Sequence, residues 1–305
     1  MIKKSISILK ITITLGIIIY ILKFTDFDYV VEIIYNSNKF LLLISFLLLS
    51  FMTFLQATRF YWITNYFNID LKIYESWKNI AIGILYNQVL PSTIGGDGFR
   101  FLNMRELNHD TKNSFKSIIV DRIYGLLGLC LLCGICSFFI SNIRPDSKFI
   151  TIVQILSFAS IFIFFTLLIF LKRYFYSLCS KFKILEIIND LHLLSKKRLI
   201  FITITMSIII HCLLAIVGFI IVHSLKINID FWPFTWLFIS SLLLSTIPIS
   251  LGGWGFREGI FILSMSLIGV KSEIAVAISF IYAFETSIIG LIGGIVWSLK
   301  FIQNK

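Results

Sequence analysis

Long apolar runs alternate with short polar ones along the whole chain. Runs near 6–24, 40–57, 117–140, 150–171, 200–224 and 273–299 approach the ~20 residues that cross a hydrocarbon core as a helix. Segments 77–90 and 234–247 are shorter, and proline follows each at Pro91 and Pro248. A half-helix or re-entrant element fits such segments better than an ordinary span. Segment 258–270 is also short for a span. The pattern predicts an all-α, polytopic membrane helical bundle, with six full spans and two broken Gly-Pro elements. One integral membrane domain is expected over 1–305, with no separate soluble unit.

Two of the polar interruptions are copies of one another. Pro91, Gly95, Gly96, Gly98, Phe99 and Arg100 map without a gap onto Pro248, Gly252, Gly253, Gly255, Phe256 and Arg257, 157 positions later. In a chain with 4 Pro and 17 Gly, these identities point to an internal duplication. The same offset carries 117–140 onto 274–297 and 40–57 onto 197–214, close to spans drawn from hydropathy alone. Halves at about 1–140 and 150–300 are expected, each with a broken segment before its last span. Paired interruptions of this kind mark the binding site of transporter-type proteins.

Composition narrows the class. The residues are 58% hydrophobic and 14% charged, which excludes an ordinary soluble domain. The net charge of +11 does not imply nucleic acid, because the basic residues lie in short loops between apolar runs and anionic lipid is the fitting counterpart. Lys3, Lys4 and Lys10 precede an apolar run as in a signal peptide. No small-x-small cleavage site follows, so an uncleaved first span is expected. Residues 172–199 are the most basic part of the chain. Phe175, Leu178, Phe182 and Leu185 recur there at helical spacing, which predicts an amphipathic helix in the headgroup region.

Charge also sets the orientation. Lys3, Lys4, Lys10, Arg59, Lys72, Lys78, Arg105, Lys112, Lys116, the 172–199 cluster, Lys300 and Lys305 fall on one side. The other side holds only Lys23, Lys39, Arg144, Lys148, Lys226 and Lys271. The positive-inside rule then predicts both termini cytoplasmic and loop 26–39 outside. Three full spans per half is an odd number, so the halves are expected to be inverted repeats, with the first motif entering from the cytoplasm and the second from outside.

The candidate chemistry sits in the motifs. Glycines leave backbone N–H groups free, and consecutive N–H groups form an anion-binding concavity. Arg100 and Arg257 follow directly, and a guanidinium binds phosphate through two parallel hydrogen bonds. Candidate substrate-binding residues are therefore Asn87, Gly95, Gly96, Asp97, Arg100, Asp121, Arg122, Gly252, Gly253, Arg257, Glu258 and Glu285. Ionisable groups at membrane depth are costly and functional by default. Asp121 and Arg122 are adjacent, so they face different sides of a helix. Glu285 lies mid-span and is a candidate to couple protons or neutralise Arg257. The plain alternative is that the glycines only permit helix breaking, with Arg100 paired to Asp97 and Arg257 to Glu258. Cys130, Cys133 and Cys136 have C-x2-C-x2-C spacing, but inside an apolar run they read as core packing rather than as cluster ligands. His211 and His223 read as packing or interface residues, and Gly290, Gly293 and Gly294 as sites of close helix contact. No metal or cofactor is implied.

Asn87-x-x-Leu90-Pro91-x-x-x-Gly95-Gly96-Asp97-x-x-Arg100, then Asp121-Arg122, then Pro248-x-x-x-Gly252-Gly253-x-Gly255-x-Arg257-Glu258 resemble the flippase-like family. That family is itself similar to the transmembrane region of bacterial lysylphosphatidylglycerol synthase. The resemblance covers nearly the whole chain and implies lipid translocation or handling in the plasma membrane. The synthase carries a soluble aminoacyl-transfer domain after its membrane part, whereas this sequence stops at Lys305, so lipid aminoacylation is not expected. Association of family members with glycosyltransferases implies a glycolipid or polyprenyl-phosphate substrate as one option.

A lipid flippase acting on a phosphate-bearing headgroup, not an enzyme, is the leading expectation. An intramembrane transferase using Asp97, Asp121 or Glu258 as base is the alternative, and a non-transporting partner of a glycosyltransferase is a third. Against the transferase stands the lack of an Asp-x-Asp motif and of a His/Cys metal set in the sequence.

Overall fold

The computed structural model describes residues 23, 25–89, 95–107, 109–139, 148, 151–159, 161–162, 198–246 and 256–303. The expected first span, the basic segment 172–197, most of 150–171, and Gly252 and Gly253 lie outside the described residues. All regular secondary structure among the described residues is helical. It comprises α1 (Phe27–Tyr35), α2 (Lys39–Tyr66), α3 (Ile73–Val89), α4 (Gly95–Glu106), α5 (Thr111–Ser137), α6 (Arg198–Ser224), α7 (Phe231–Ser245), α8 (Phe256–Ser266) and α9 (Ser272–Gln303). Residues 151–159 are helical as well.

Helices α2, α5, α6 and α9 are each long and apolar enough to cross a membrane. Helix α2 shows how the sequence achieves this. Asn38 caps it, its side chain accepting hydrogen bonds from the N–H groups of Phe40 and Leu41. Phe40, Leu43, Leu47, Phe51 and Phe54 then recur at helical spacing on the exposed side, while Ser45, Leu49, Met52, Phe60 and Ile63 are buried. The outward stripe is the apolar one, as lipid rather than water demands. By contrast, α4 has 12 residues, about 18 Å of rise, which cannot cross the hydrocarbon alone.

Two boundaries differ from the hydropathy reading. The span expected at 40–57 continues to Tyr66, and Arg59, placed by sequence with the cytoplasmic charges, is buried within α2. Loop 26–39 contains α1, started by Asp26 accepting from the Tyr29 N–H at 3.1 Å. Short range explains both. An Asp N-cap is a local signal that hydropathy windows average away, and a buried arginine needs a partner that only the fold supplies.

Shifting α2, α3, α4 and α5 by 157 positions lands on α6, α7, α8 and α9 within a few residues at each start. The packing repeats too. Helix α3 packs on α9, while its counterpart α7 packs on α5; α3–α4 and α7–α8 are neighbouring pairs. The α3–α9 crossing is close because α9 presents glycine. A Cβ at Gly290 would stand 2.9 Å from Leu85 Cα, and one at Gly293 would collide with Ala81. Two apolar clusters hold the bundle. One includes Phe234, Trp236, Ile239 and Ile278. The other gathers Phe60, Ile63, Met104 and Tyr124.

Candidate functional site

Helices α3 and α4 pack as a pair whose register can be read from side chains. Tyr86 stacks on Phe99 with centroids 3.8 Å apart, and the Asn87 side chain accepts a 2.9 Å hydrogen bond from the Gly96 N–H. Gly83 lies under the Arg100 side chain, where a Cβ would approach Cδ to 2.9 Å. At Gly96 a Cβ would collide with the Gly83 carbonyl oxygen and with Asn87. These glycines therefore act by permitting close approach. The Gly96 N–H, expected to be free for an anion, is taken by Asn87, which satisfies one of the orphan donors at the start of α4.

That approach lays Arg100 into a chain of charges. Arg100 donates to Asp97 Oδ1 at 3.2 Å and to Asp121 Oδ2 at 3.1 Å, and its guanidinium lies 4.3 Å from the centroid of the Phe60 ring. Asp121 Oδ1 accepts from Arg59 Nε at 3.0 Å and faces Arg59 Nη2 at 2.8 Å. Arg59 Nη1 reaches on to Ser207 on α6 at 2.8 Å. Asp97 in turn accepts a two-pronged contact from Arg122, Nε to Oδ2 at 2.6 Å and Nη2 to Oδ1 at 2.9 Å. The adjacent residues Asp121 and Arg122 thus point to different partners, as neighbouring positions on a helix must.

Three guanidiniums and two carboxylates so linked line a cavity of about 480 Å³ between α2, α3, α4, α5 and α6, with His211 on its wall. His211 Nδ1 lies 2.6 Å from the Ser207 carbonyl oxygen. The burial of the charges is uneven. The side chains of Arg59, Arg100 and Asp121 are nearly inaccessible, whereas that of Arg122 is 51% exposed. Arg100 is therefore built into the wall, and Arg122 is the guanidinium best able to exchange its partner.

The second copy of the motif presents Arg257, which donates to Glu258 Oε1 from Nη2 at 2.7 Å and from Nε at 3.0 Å. Ser279 donates to the same oxygen at 3.4 Å. Arg257 lines a separate, smaller cavity of about 170 Å³ with Tyr282 and Thr286. Gln56, Ile84 and Asn87 border both cavities. Arg100 and Arg257, the two motif arginines, thus line different chambers with a shared wall. Glu285 is buried and hydrogen-bonded to Ser45 of α2. Gly95 opens α4.

Arg59, Gln56, Ser207 and Gly83 are site residues that the sequence reading missed. A signal existed, because Ser45, Leu49, Met52, Gln56, Arg59 and Ile63 continue one helical stripe past the end of the apolar run. Among the described residues, no group of three His, Cys, Asp or Glu side chains could hold a metal ion. Cys130, Cys133 and Cys136 form no disulfide with one another and are buried in the core.

An all-helical, multi-pass bundle with a charged cavity among its helices defines an integral membrane protein. The chain belongs to the family of the lysylphosphatidylglycerol synthase transmembrane region, whose model matches residues 7–294. Comparison with curated proteins and with solved structures gave no match.

Proposed function

We propose that the protein moves a phosphate-bearing membrane lipid across the plasma membrane, with the headgroup held in the cavity of Arg59, Arg100 and Arg122. The observation that carries this is the linked charge cluster. It places three guanidiniums against two carboxylates in one cavity, a formal excess of one positive charge, inside spanning helices. Charges at such depth are costly and persist where they serve a path. One excess positive charge matches a phosphodiester, which bears one negative charge, and a fork-shaped guanidinium donor suits its oxygens.

The repeated helix order and pairing support two halves of opposite orientation around this site, with α3–α4 and α7–α8 as re-entrant pairs and both termini cytoplasmic. The headgroup would pass between the Arg122 chamber and the Arg257 chamber across their shared wall of Gln56, Ile84 and Asn87. A glycolipid or polyprenyl-phosphate substrate, and a glycosyltransferase partner that supplies it, fit the same cavity chemistry. Purified protein in liposomes carrying fluorescent phospholipid, with no group donor present, tests the proposal. Movement of label between leaflets above the rate of empty liposomes supports it. No movement of label, with modification of the lipid only once a lipid-linked sugar is added, would replace it by the transferase alternative.

A further inference from the structure

Beside the charged cavity runs an apolar groove of about 640 Å³ between α4 and α5, lined by Phe101, Phe115, Ile118, Ile119, Ile123 and Leu126. Phe115, Ile119, Arg122 and Leu126 follow one another at helical spacing down one face of α5, and Phe115 and Leu126 are exposed. Asp97, Arg122 and Leu126 belong to both the groove and the charged cavity. The Asp97–Arg122 pair therefore stands where the two meet. Arg122 lies eleven residues into α5, about 17 Å of helix rise from Thr111, on a helix long and apolar enough to cross a membrane. A half-exposed guanidinium beside an apolar groove on such a helix needs an anion next to it, and Asp97 is the anion at hand.

We infer that this groove is the lateral port through which one phosphodiester lipid enters, its acyl chain lying against α4 and α5 and its phosphate replacing the Asp97 carboxylate on Arg122. The inference rests on the function proposed above and adds the entry route and the residue pair that gates it. Charge and shape complementarity carry it. Carboxylate and phosphate both accept the two-pronged guanidinium contact, so the exchange conserves the hydrogen bonds of Arg122. Asp97 is not stranded by the exchange, because Arg100 still donates to it. The apolar lining suits a hydrocarbon chain and nothing charged, while the single cation among the lining residues is at the mouth of the headgroup cavity.

The test is photo-crosslinking in liposomes with two probes that carry the same diazirine-labelled acyl chains. One is phosphatidylglycerol and the other diacylglycerol, which lacks the phosphate. Adducts are mapped by mass spectrometry at Phe115 and Ile119, with exposed Leu291 on α9 as a reference for general lipid contact. Labelling of the groove by the phosphatidylglycerol probe should exceed that by diacylglycerol roughly tenfold, the worth of one charge-assisted contact, with equal labelling at Leu291. Arg122→Ala should remove the excess. Asp97→Asn, which takes away the competing carboxylate charge while Arg100 keeps Asp121, should increase it. Unchanged labelling at Leu291 in each variant certifies the fold. Equal groove labelling by both probes, or an excess that survives Arg122→Ala, overturns the port. Wild-type protein that transports lipid without groove enrichment also overturns it. Enrichment without transport upholds the port and overturns the transport function instead.

Discussion

Arg59 and Asp121, sixty-two positions apart in sequence, form a buried ion pair with Arg59 Nη2 2.8 Å from Asp121 Oδ1. Asp121 has a second guanidinium, Arg100, at 3.1 Å. The carboxylate is thus the hub on which α2, α4 and α5 meet, and its two arginines are unequal in what their loss leaves behind.

Asp121→Ala would take the carboxylate from buried Arg59 and leave Arg100 with Asp97 alone, at a cost of roughly 3–5 kcal/mol for breaking a buried pair. Arg59→Ala leaves Asp121 still paired to Arg100 and should cost less. Thermal unfolding in detergent should therefore rank Asp121→Ala below Arg59→Ala. The reverse order would mean that Asp121 is not the hub.

Arg122 and Arg100 should separate by phenotype. Arg122 is half exposed and bonded to Asp97, which keeps Arg100, so Arg122→Ala should leave thermal stability close to wild type and reduce lipid transport about tenfold to a hundredfold. Arg122→Lys keeps the charge without the fork and should restore transport only in part. Arg100→Ala should instead lower the unfolding temperature, because its side chain is buried between two carboxylates and the Phe60 ring. Equal stability losses at both positions would contradict the division.

Two glycines at the start of α4, and the Asn87 of α3 that bonds to one of them, give a stability contrast. At Gly96 a Cβ would meet backbone and the capping Asn87, and overpacking of that kind costs about 1–3 kcal/mol. At Gly98 nothing lies within 4 Å of a built Cβ, and alanine is the better helix former. Gly96→Ala should lower the unfolding temperature, and Gly98→Ala should hold or raise it. Asn87→Ala should fall between, losing a helix-start hydrogen bond worth ~1 kcal/mol.

The orientation is open to cysteine labelling in a cysteine-free background. Asn36, at the C-cap of α1, should react as cysteine with an impermeant maleimide from outside, and Ser195 as cysteine only from the cytoplasmic side. Reaction of both from one side rejects the inverted arrangement of the halves.

The apolar pattern alone located the long helices. Spans expected at 117–140, 200–224 and 273–299 correspond to Thr111–Ser137, Arg198–Ser224 and Ser272–Gln303. That works because the length and hydropathy of a span answer to the bilayer, which acts on each segment independently. The 157-residue repeat was legible for a similar reason, since it is a property of the order of residues. The ionic partnerships were not. Sequence proximity suggested Arg100 with Asp97 and Arg257 with Glu258, and both pairs exist, but the bonds of Asp121 to Arg59 and of Arg59 to Ser207 join distant segments. Only the packing of α2, α5 and α6 brings those side chains together, since a buried charge is stabilised by whatever the fold sets within about 3 Å of it rather than by its neighbours along the chain.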